Sequence, residues 1–333
     1  GAAPSVEETY PGGREVIWEA FLTNGIPEEA IRISMASISE SSLRQYDCSL
    51  KKWWSFCVAN KLSVYEAEVP DVIRFLSLEF EKGASYGSLN CIRSAISLIL
   101  GPKIGKNERV RRFFRGLSRL RPSEPKYDST WDPKIVLEFF KDLTNEDLSL
   151  DKLGKKLVTL LALVSGQRIQ TLSLIDIRNI VIKEDLIEIK IPDRIKTSRP
   201  GAKQPLLVLP FYKEDPNICP ARTLQWYLRR TKDLRGKNKP LFISFKKPFK
   251  KVSSQTLSRW LKDMLHKSSI NTEIFSAHST RHASTSAAKK KGVSMDVIRK
   301  SAGWTESSTT FARFYDRPII QDLRLFGQAI LED

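Results

Sequence analysis

Histidine and cysteine are scarce in this chain of 333 residues, which holds three of the first and four of the second. Cys48, Cys57, Cys91 and Cys219 show no Cys-x-x-Cys spacing, and no histidine stands where it would complete a zinc site. Neither a metal nor any other cofactor is expected, and the cysteines read as reduced thiols of an intracellular protein. Long apolar runs are missing too. The stretch 157–164 is flanked by Lys155, Lys156 and Arg168 and is far too short to span a bilayer, so no membrane partner is expected. Gly1-Ala2-Ala3-Pro4 has neither a basic start nor an apolar segment; it is not expected to be a signal peptide and is left out of the fold. No convincing trio of carboxylates is found, which argues against a metal-dependent nuclease or transposase. Gly101-Pro102-Lys103-Ile104-Gly105-Lys106-Asn107 imitates a phosphate loop but ends on Asn where Ser or Thr should hold magnesium.

Acidic side chains are in deficit as well: 38 Asp and Glu against 55 Lys and Arg leave a net charge of +17. A surplus of that size on a folded chain favours a polyanion, of which nucleic acid is the usual one. Residues 103–126 hold nine basic and two acidic side chains, and residues 131–333 hold 37 and 22. Two separated basic regions suit a clamp whose halves both touch phosphates. The lysines at 246, 247, 250 and 251 and the run Lys289-Lys290-Lys291 read as solvated faces.

With 41% hydrophobic and 28% charged residues the chain is globular, and its length suits two domains. The first hundred residues read as helices. One stripe carries Leu43, Tyr46, Leu50, Trp53, Trp54 and Cys57, and at that spacing the tryptophans belong to a core. Pro70 opens a second helix, residues 88–100 form a third, and Gly101-Pro102 ends it. Residues 109–120 form a basic helix with Val110, Phe113, Phe114 and Leu117 inward. The polar, proline-broken stretch 121–126 is the best linker, so the domains are set at 1–126 and 127–333. In the second, a helix after Asp132-Pro133 and an apolar one over 153–165 precede three short strands near 180–182, 186–191 and 206–209. Everything after Cys219 reads helical again.

Arg168 follows a buried helix and a glycine, where it needs an anionic partner such as Asp176 or an open cleft. His278 and Arg281 stand three apart on one side of a turn, and two of the three histidines fall in His278-Ser279-Thr280-Arg281-His282. Tyr315 lies eleven residues beyond Trp304 and is the only tyrosine after Tyr227. A phenol with an ordinary pKa of ~10 needs a base or a positive pocket to act as a nucleophile, and cations with a histidine would supply both. The bland alternative is a tyrosine packed at a helix end.

Taken in order, Arg168, Lys196 in a strand connection, His278-x-x-Arg281, Trp304 and Tyr315 resemble the active site of the tyrosine recombinase (phage integrase) family. Gln167-Arg168-Ile169-Gln170-Thr171, the lead-in Thr130-Trp131-Asp132 and the long Trp304-to-Tyr315 spacing are most similar to recombinases of Crypton and DIRS-type mobile elements. The resemblance implies a mainly α fold with a small antiparallel β-sheet. It would be a two-domain, C-shaped clamp of a helical core-binding domain and a catalytic domain. It implies a site-specific recombinase that cuts and rejoins double-stranded DNA through a 3′-phosphotyrosyl link to Tyr315, without metal or ATP, in transposition of a mobile element. Arg168 and Arg281 would hold the scissile phosphate. Lys196, or failing it Lys203, would protonate the leaving 5′ oxygen. His278 would assist proton transfer or orient the phosphate, Trp304 would donate an indole N–H, and His282 would act as a buttress. Thr171 departs from the family, many of whose members carry an acid there. An amphipathic helix over 317–331, with Ile319, Leu323, Phe326 and Ile330 on one face, would join protomers into dimers or tetramers on DNA, or pack on its own domain. In a eukaryotic source the protein would be nuclear. The rival readings are a domesticated DNA-binding protein that no longer cuts and a type IB topoisomerase-like nicking-closing enzyme.

Overall fold

A computed structural model describes residues 9–122, 126–198, 201, 204–305 and 308–320, and the chain divides into two units, Gly1–Glu124 and Pro125–Asp333. The first unit is helical: α1 (Gly13–Thr23), α2 (Glu28–Met35), α3 (Glu40–Asn60), α4 (Val69–Glu81), α5 (Tyr86–Leu100), α6 (Pro102–Gly105) and α7 (Glu108–Leu120). Ser39 caps α3 by accepting from the N–H of Ser42, and Pro70 sits in the first turn of α4, where its missing N–H costs nothing. The stripe of α3 turns inward: Leu43, Leu50, Trp53 and Cys57 are buried, and Trp53 Nε1 donates to the carbonyl of Val64 at 3.1 Å. On α7, Val110, Phe114 and Leu117 are buried while Arg109, Arg111, Arg112, Arg115 and Arg119 are exposed.

The second unit contains α8 (Pro133–Lys141), α9 (Leu150–Ser165), α10 (Ile169–Leu172), α11 (Pro220–Thr231), α12 (Ser254–Lys267), α13 (Ser279–Lys290) and α14 (Met295–Ala302). Helix α9 is the pillar, with Leu153, Leu157, Val158, Leu160 and Leu161 fully buried and α11, α12 and α13 packed around it. Strands β1 (Ile180–Ile182), β2 (Leu186–Lys190) and β3 (Leu206–Pro210) form one antiparallel sheet in that order. Ile187 faces Leu209 and Ile189 faces Leu207 across the β2–β3 ladder, and all four are buried. Alternation puts the even-numbered residues of these strands on the other face. A mainly helical fold with a small antiparallel sheet is what the sequence implies.

Two segments depart from expectation. The stretch between α11 and α12 is not helical: Leu241 donates to the carbonyl of Ile175, Asp176 bridges Pro240, and Ile243 bridges Lys251 across a lysine-rich turn. Pro240 and Pro248 each lack the N–H a helix needs. The helix placed over 317–331 does not begin where the sequence suggests. Residues 318–320 are extended: the Thr130 N–H donates to Pro318 O at 2.9 Å and the Ile320 N–H to Thr130 O at 2.7 Å. Ile319 thereby forms a parallel bridge with Thr130, and the remainder of that helix lies outside the described residues.

Candidate active site

Helix α9 ends on Gly166 in the left-handed conformation, φ +59°, which frees its carbonyl to point across to α13. That carbonyl accepts from Arg281 Nη1 at 2.6 Å. The next residue, Gln167, donates from Nε2 to the carbonyl of Ser301 at 2.6 Å and so ties the end of α9 to α14. Arg168 heads the short α10, half-buried, and makes no ion pair among the described residues. Asp176, its obvious partner by sequence, is taken by Arg178 at 2.7 Å, whose hydrogen bonds hold the carboxyl below its usual range. That alternative is therefore corrected: the charge of Arg168 is directed elsewhere, and it depresses the pKa of both His278 and Arg281.

The loop leading into α13 is pinned from below. Tyr127 Oη lies 2.8 Å from Ser276 Oγ, and the indole N–H of Trp131 donates to Ser279 Oγ at 2.9 Å. His278 occupies the N-cap of α13 and Arg281 its first turn. Arg281 is 2% exposed. Its guanidinium carbon lies 4.3 Å from the ring centre of Trp304 and 5.3 Å from that of Tyr315. Nε and Nη2 are buried with no acceptor at full hydrogen-bond geometry; the Tyr315 oxygen lies near enough to favour the charge, and no carboxylate pairs with the group among the described residues. Burial first, then the charge of Arg168, lowers its pKa to about 10, so it remains a cation at neutral pH.

Trp304 is placed by the end of α14. Gly303, φ +67°, turns the chain left-handed, and the Trp304 N–H closes back on the Arg299 carbonyl at 2.8 Å. Its indole Nε1 is buried and unpartnered. Tyr315 ends a single π-helical turn, Phe311–Tyr315, closed by the Asp316 N–H on the Phe311 carbonyl at 2.8 Å. Its hydroxyl lies 2.9 Å from His278 Nε2, its ring stacks on His282 at 4.3 Å, and the Trp304 ring is 4.9 Å away. Partial burial, followed by the charges of Arg281, Arg168, Lys126 and Lys196, pushes the His278 imidazole down to about 4. It is neutral at pH 7, and in the tautomer with Nε2 unprotonated it accepts a hydrogen bond from the phenol. His282, buried under the phenol, is pushed down to about 3 by burial and the field of His278.

His278, Arg281, Trp304 and Tyr315 thus share direct contacts, with His282 beneath. Lys196 does not join them: it is exposed on the β2–β3 connection, and no hydrogen bond or ion pair ties it to the cluster among the described residues. The turn behind it is held by Ile195 N–H on Ser198 Oγ at 2.9 Å, and only the charge of Lys196 reaches His278. Lys203 lies outside the described residues. Thr171 is buried and brings no charge to Arg168. Sequence reasoning passed over Lys126 and Ser286, and took Gln167 only as part of a motif, without its tie to α14. Ser286 Oγ donates to the Tyr315 carbonyl at 2.8 Å and accepts from the Arg317 N–H at 3.1 Å. Its one signal was position, eight residues after His278 on the same helical face. Among the described residues no group of His, Cys, Asp and Glu is arranged to hold a metal, and no helix is long and apolar enough to cross a membrane.

The phage integrase family matches residues 136–318. No curated protein matches the chain. Among solved structures, the XerH site-specific recombinase in a post-cleavage complex with palindromic difH substrate aligns with a TM-score of 0.62 at 15% identity, covering 96% of this chain and 88% of that one. The Tn1549 transposon integrase in complex with transposon right-end DNA gives 0.56 at 13%, covering 96% and 98%. A lambda integrase dimer bound to a core site gives 0.55 at 18%, covering 91% and 97%. At these identities the likeness is one of fold. The family match runs from α8 to just past the turn that carries Tyr315, more than half of the sequence, and the chain belongs to the phage integrase family of tyrosine recombinases.

Proposed function

We propose that this chain cleaves and rejoins double-stranded DNA through a covalent 3′-phosphotyrosyl intermediate on Tyr315. The observation that carries the reading is Arg281, a buried cation with no carboxylate beside it among the described residues, lying against a tyrosine whose hydroxyl meets a neutral imidazole. A charge buried without a counter-ion is costly, and a phosphate oxygen brought up to Tyr315 would satisfy it. In the step proposed, the Tyr315 oxygen forms a bond to phosphorus while its proton passes to His278, whose basicity the bound phosphate restores by offsetting the cations that depress it. Arg168 and Arg281 balance the charge that builds on the non-bridging oxygens. The bond from phosphorus to the 5′ oxygen breaks, and that oxygen takes a proton from Lys196, or from Lys203 if the β2–β3 connection shifts on DNA. Trp304 would donate its indole N–H to a phosphate oxygen. Rejoining is the same path reversed. With cations in these places the reaction needs neither metal nor ATP.

Residues 1–126 would serve as the core-binding domain, with the arginines of α7 on phosphates, and residues 127–333 as the catalytic domain. Lambda integrase has been solved as a dimer on a core site and as a tetramer on a Holliday junction, and the same assembly is proposed here. A role in moving a mobile element, of the Crypton or DIRS kind, is supported by the Gln167-Arg168-Ile169-Gln170-Thr171 motif and the spacing of Trp304 and Tyr315. The test is a nicked substrate that traps the covalent adduct, resolved on a denaturing gel. Wild-type protein should be captured, and Tyr315→Phe should bind the same DNA with no adduct. Binding without capture by the wild type would point to a domesticated DNA-binding protein. Relaxation of supercoils without partner strands would favour the topoisomerase reading.

A further inference from the structure

One face of α13 reads the nucleophile at four heights. His278, His282, Ser286 and Lys289 follow one another at intervals of four, four and three residues, which stacks them along a single stripe. Each touches a different part of the segment that carries Tyr315. His278 meets the hydroxyl at 2.9 Å, and His282 lies under the ring at 4.3 Å. Ser286 takes the backbone, donating to the Tyr315 carbonyl at 2.8 Å and accepting the Arg317 N–H at 3.1 Å. Lys289 bonds the carboxylate of Asp316 and lies over the Phe311 ring. Of the four, Ser286 alone holds main chain, and it is buried, 4% exposed.

That grip falls where the segment cannot support itself. The π-helical turn ends at Tyr315, so its carbonyl has no further turn to accept from. Arg317, two residues on, has left the helix as well. A single hydroxyl that donates to one and accepts from the other closes both gaps. It also fixes the distance from the α13 backbone to the Tyr315 backbone, hence how far the phenol projects between His278 and Arg281.

We infer that Ser286 is a positioning residue for the nucleophile: its hydroxyl sets the register of Tyr315 against the groups that activate it. The inference rests on the cleavage reading above. Losing the hydroxyl removes both of these ties between α13 and the segment of Tyr315 and lets the phenol drift. A displacement of ~1 Å at a reacting group can cost about 100-fold in rate.

The experiment measures single-turnover adduct formation on the nicked substrate, and separately the dissociation constant for the same DNA, in wild type, Ser286→Ala, Ser286→Cys and Ser286→Thr. Expected is capture slowed by about 10- to 100-fold in Ser286→Ala at unchanged DNA affinity, an intermediate rate in Ser286→Cys, and recovery toward wild type in Ser286→Thr, which keeps the hydroxyl. Wild-type rates in Ser286→Ala would overturn the inference. So would a loss of affinity in step with rate, which marks a general folding defect, or no recovery in Ser286→Thr. If Ser286→Ala does not fold, the order of Cys and Thr decides, and equal rates in those two reject the role. A wild-type protein that captures no DNA would instead defeat the cleavage reading itself, whatever the variants do.

Discussion

Arg281 is where stability and function part company. Its guanidinium is fully buried, held by one carbonyl, two aromatic faces and the nearby Tyr315 oxygen, with no carboxylate beside it among the described residues. Removing a cation from water costs several kcal/mol, whereas one charged hydrogen bond returns about 1.5–3 kcal/mol. Arg281→Met fills similar space without the charge. We expect it to melt no lower than wild type by thermal unfolding and to lose at least ~100-fold in adduct formation. A melting temperature well below wild type would show the arginine to be a structural tie. Residue types and their order made this position readable in the sequence: a His-x-x-Arg pair in a histidine-poor chain draws attention to itself. Ser286 was not readable, and Gln167 only as a letter in a motif. A serine in a helix is ordinary, and a glutamine after a glycine shows no tie, until the main chain each one grips, at 315 and 301, is brought alongside by the fold.

At the scale of elements, α13 is a helix built to hold imidazoles uncharged. Two of them enter on successive turns, and their folded pKa values, about 4 and about 3, lie below the unfolded 6.5. As pH falls from 6.5 the unfolded chain takes up these protons first, so stability present above 6.5 is lost progressively toward the folded values. A lower urea midpoint at pH 5 than at pH 7 is expected, above the range where most carboxylates titrate. His282→Phe should reduce the difference, and a midpoint flat across that interval would contradict the shifts. The long helices and the sheet were legible because each buries one face with a steady period, as in α3, α4, α5 and β2. The stretch between α11 and α12 was not. Its apolar residues Leu241, Phe242 and Ile243 are consecutive and are buried by pairing with residues near 175 and 251. The same holds at residues 318–320, which pair with the backbone of Thr130 where the spacing had suggested the start of a helix. Periodicity reports how an element meets a core; it is silent about distant main chain.

For the whole molecule, the governing quantity is the net charge of +17. Charge of this kind acts on phosphates by releasing their counter-ions, so affinity should fall steeply with salt. If six to ten phosphates are neutralised, raising salt from about 50 to about 200 mM should weaken binding by roughly 10³- to 10⁵-fold. Titrating labelled duplex by fluorescence anisotropy at several salt concentrations measures the slope, and a flat slope would mean that the basic surfaces face some other partner. The arginines of α7 and the lysines around residue 248 contribute through exposure alone, each unit carrying its own share.

The two hydrogen bonds between Thr130 and residues 318 and 320 have a mechanical consequence. They form a clip just downstream of the nucleophile, and Thr130 is itself anchored next to Trp131, whose indole holds the base of α13. A pull on the chain beyond residue 320 is therefore borne by the clip and passed to the body of the second unit. Tyr315 is thereby shielded from any load applied past the clip.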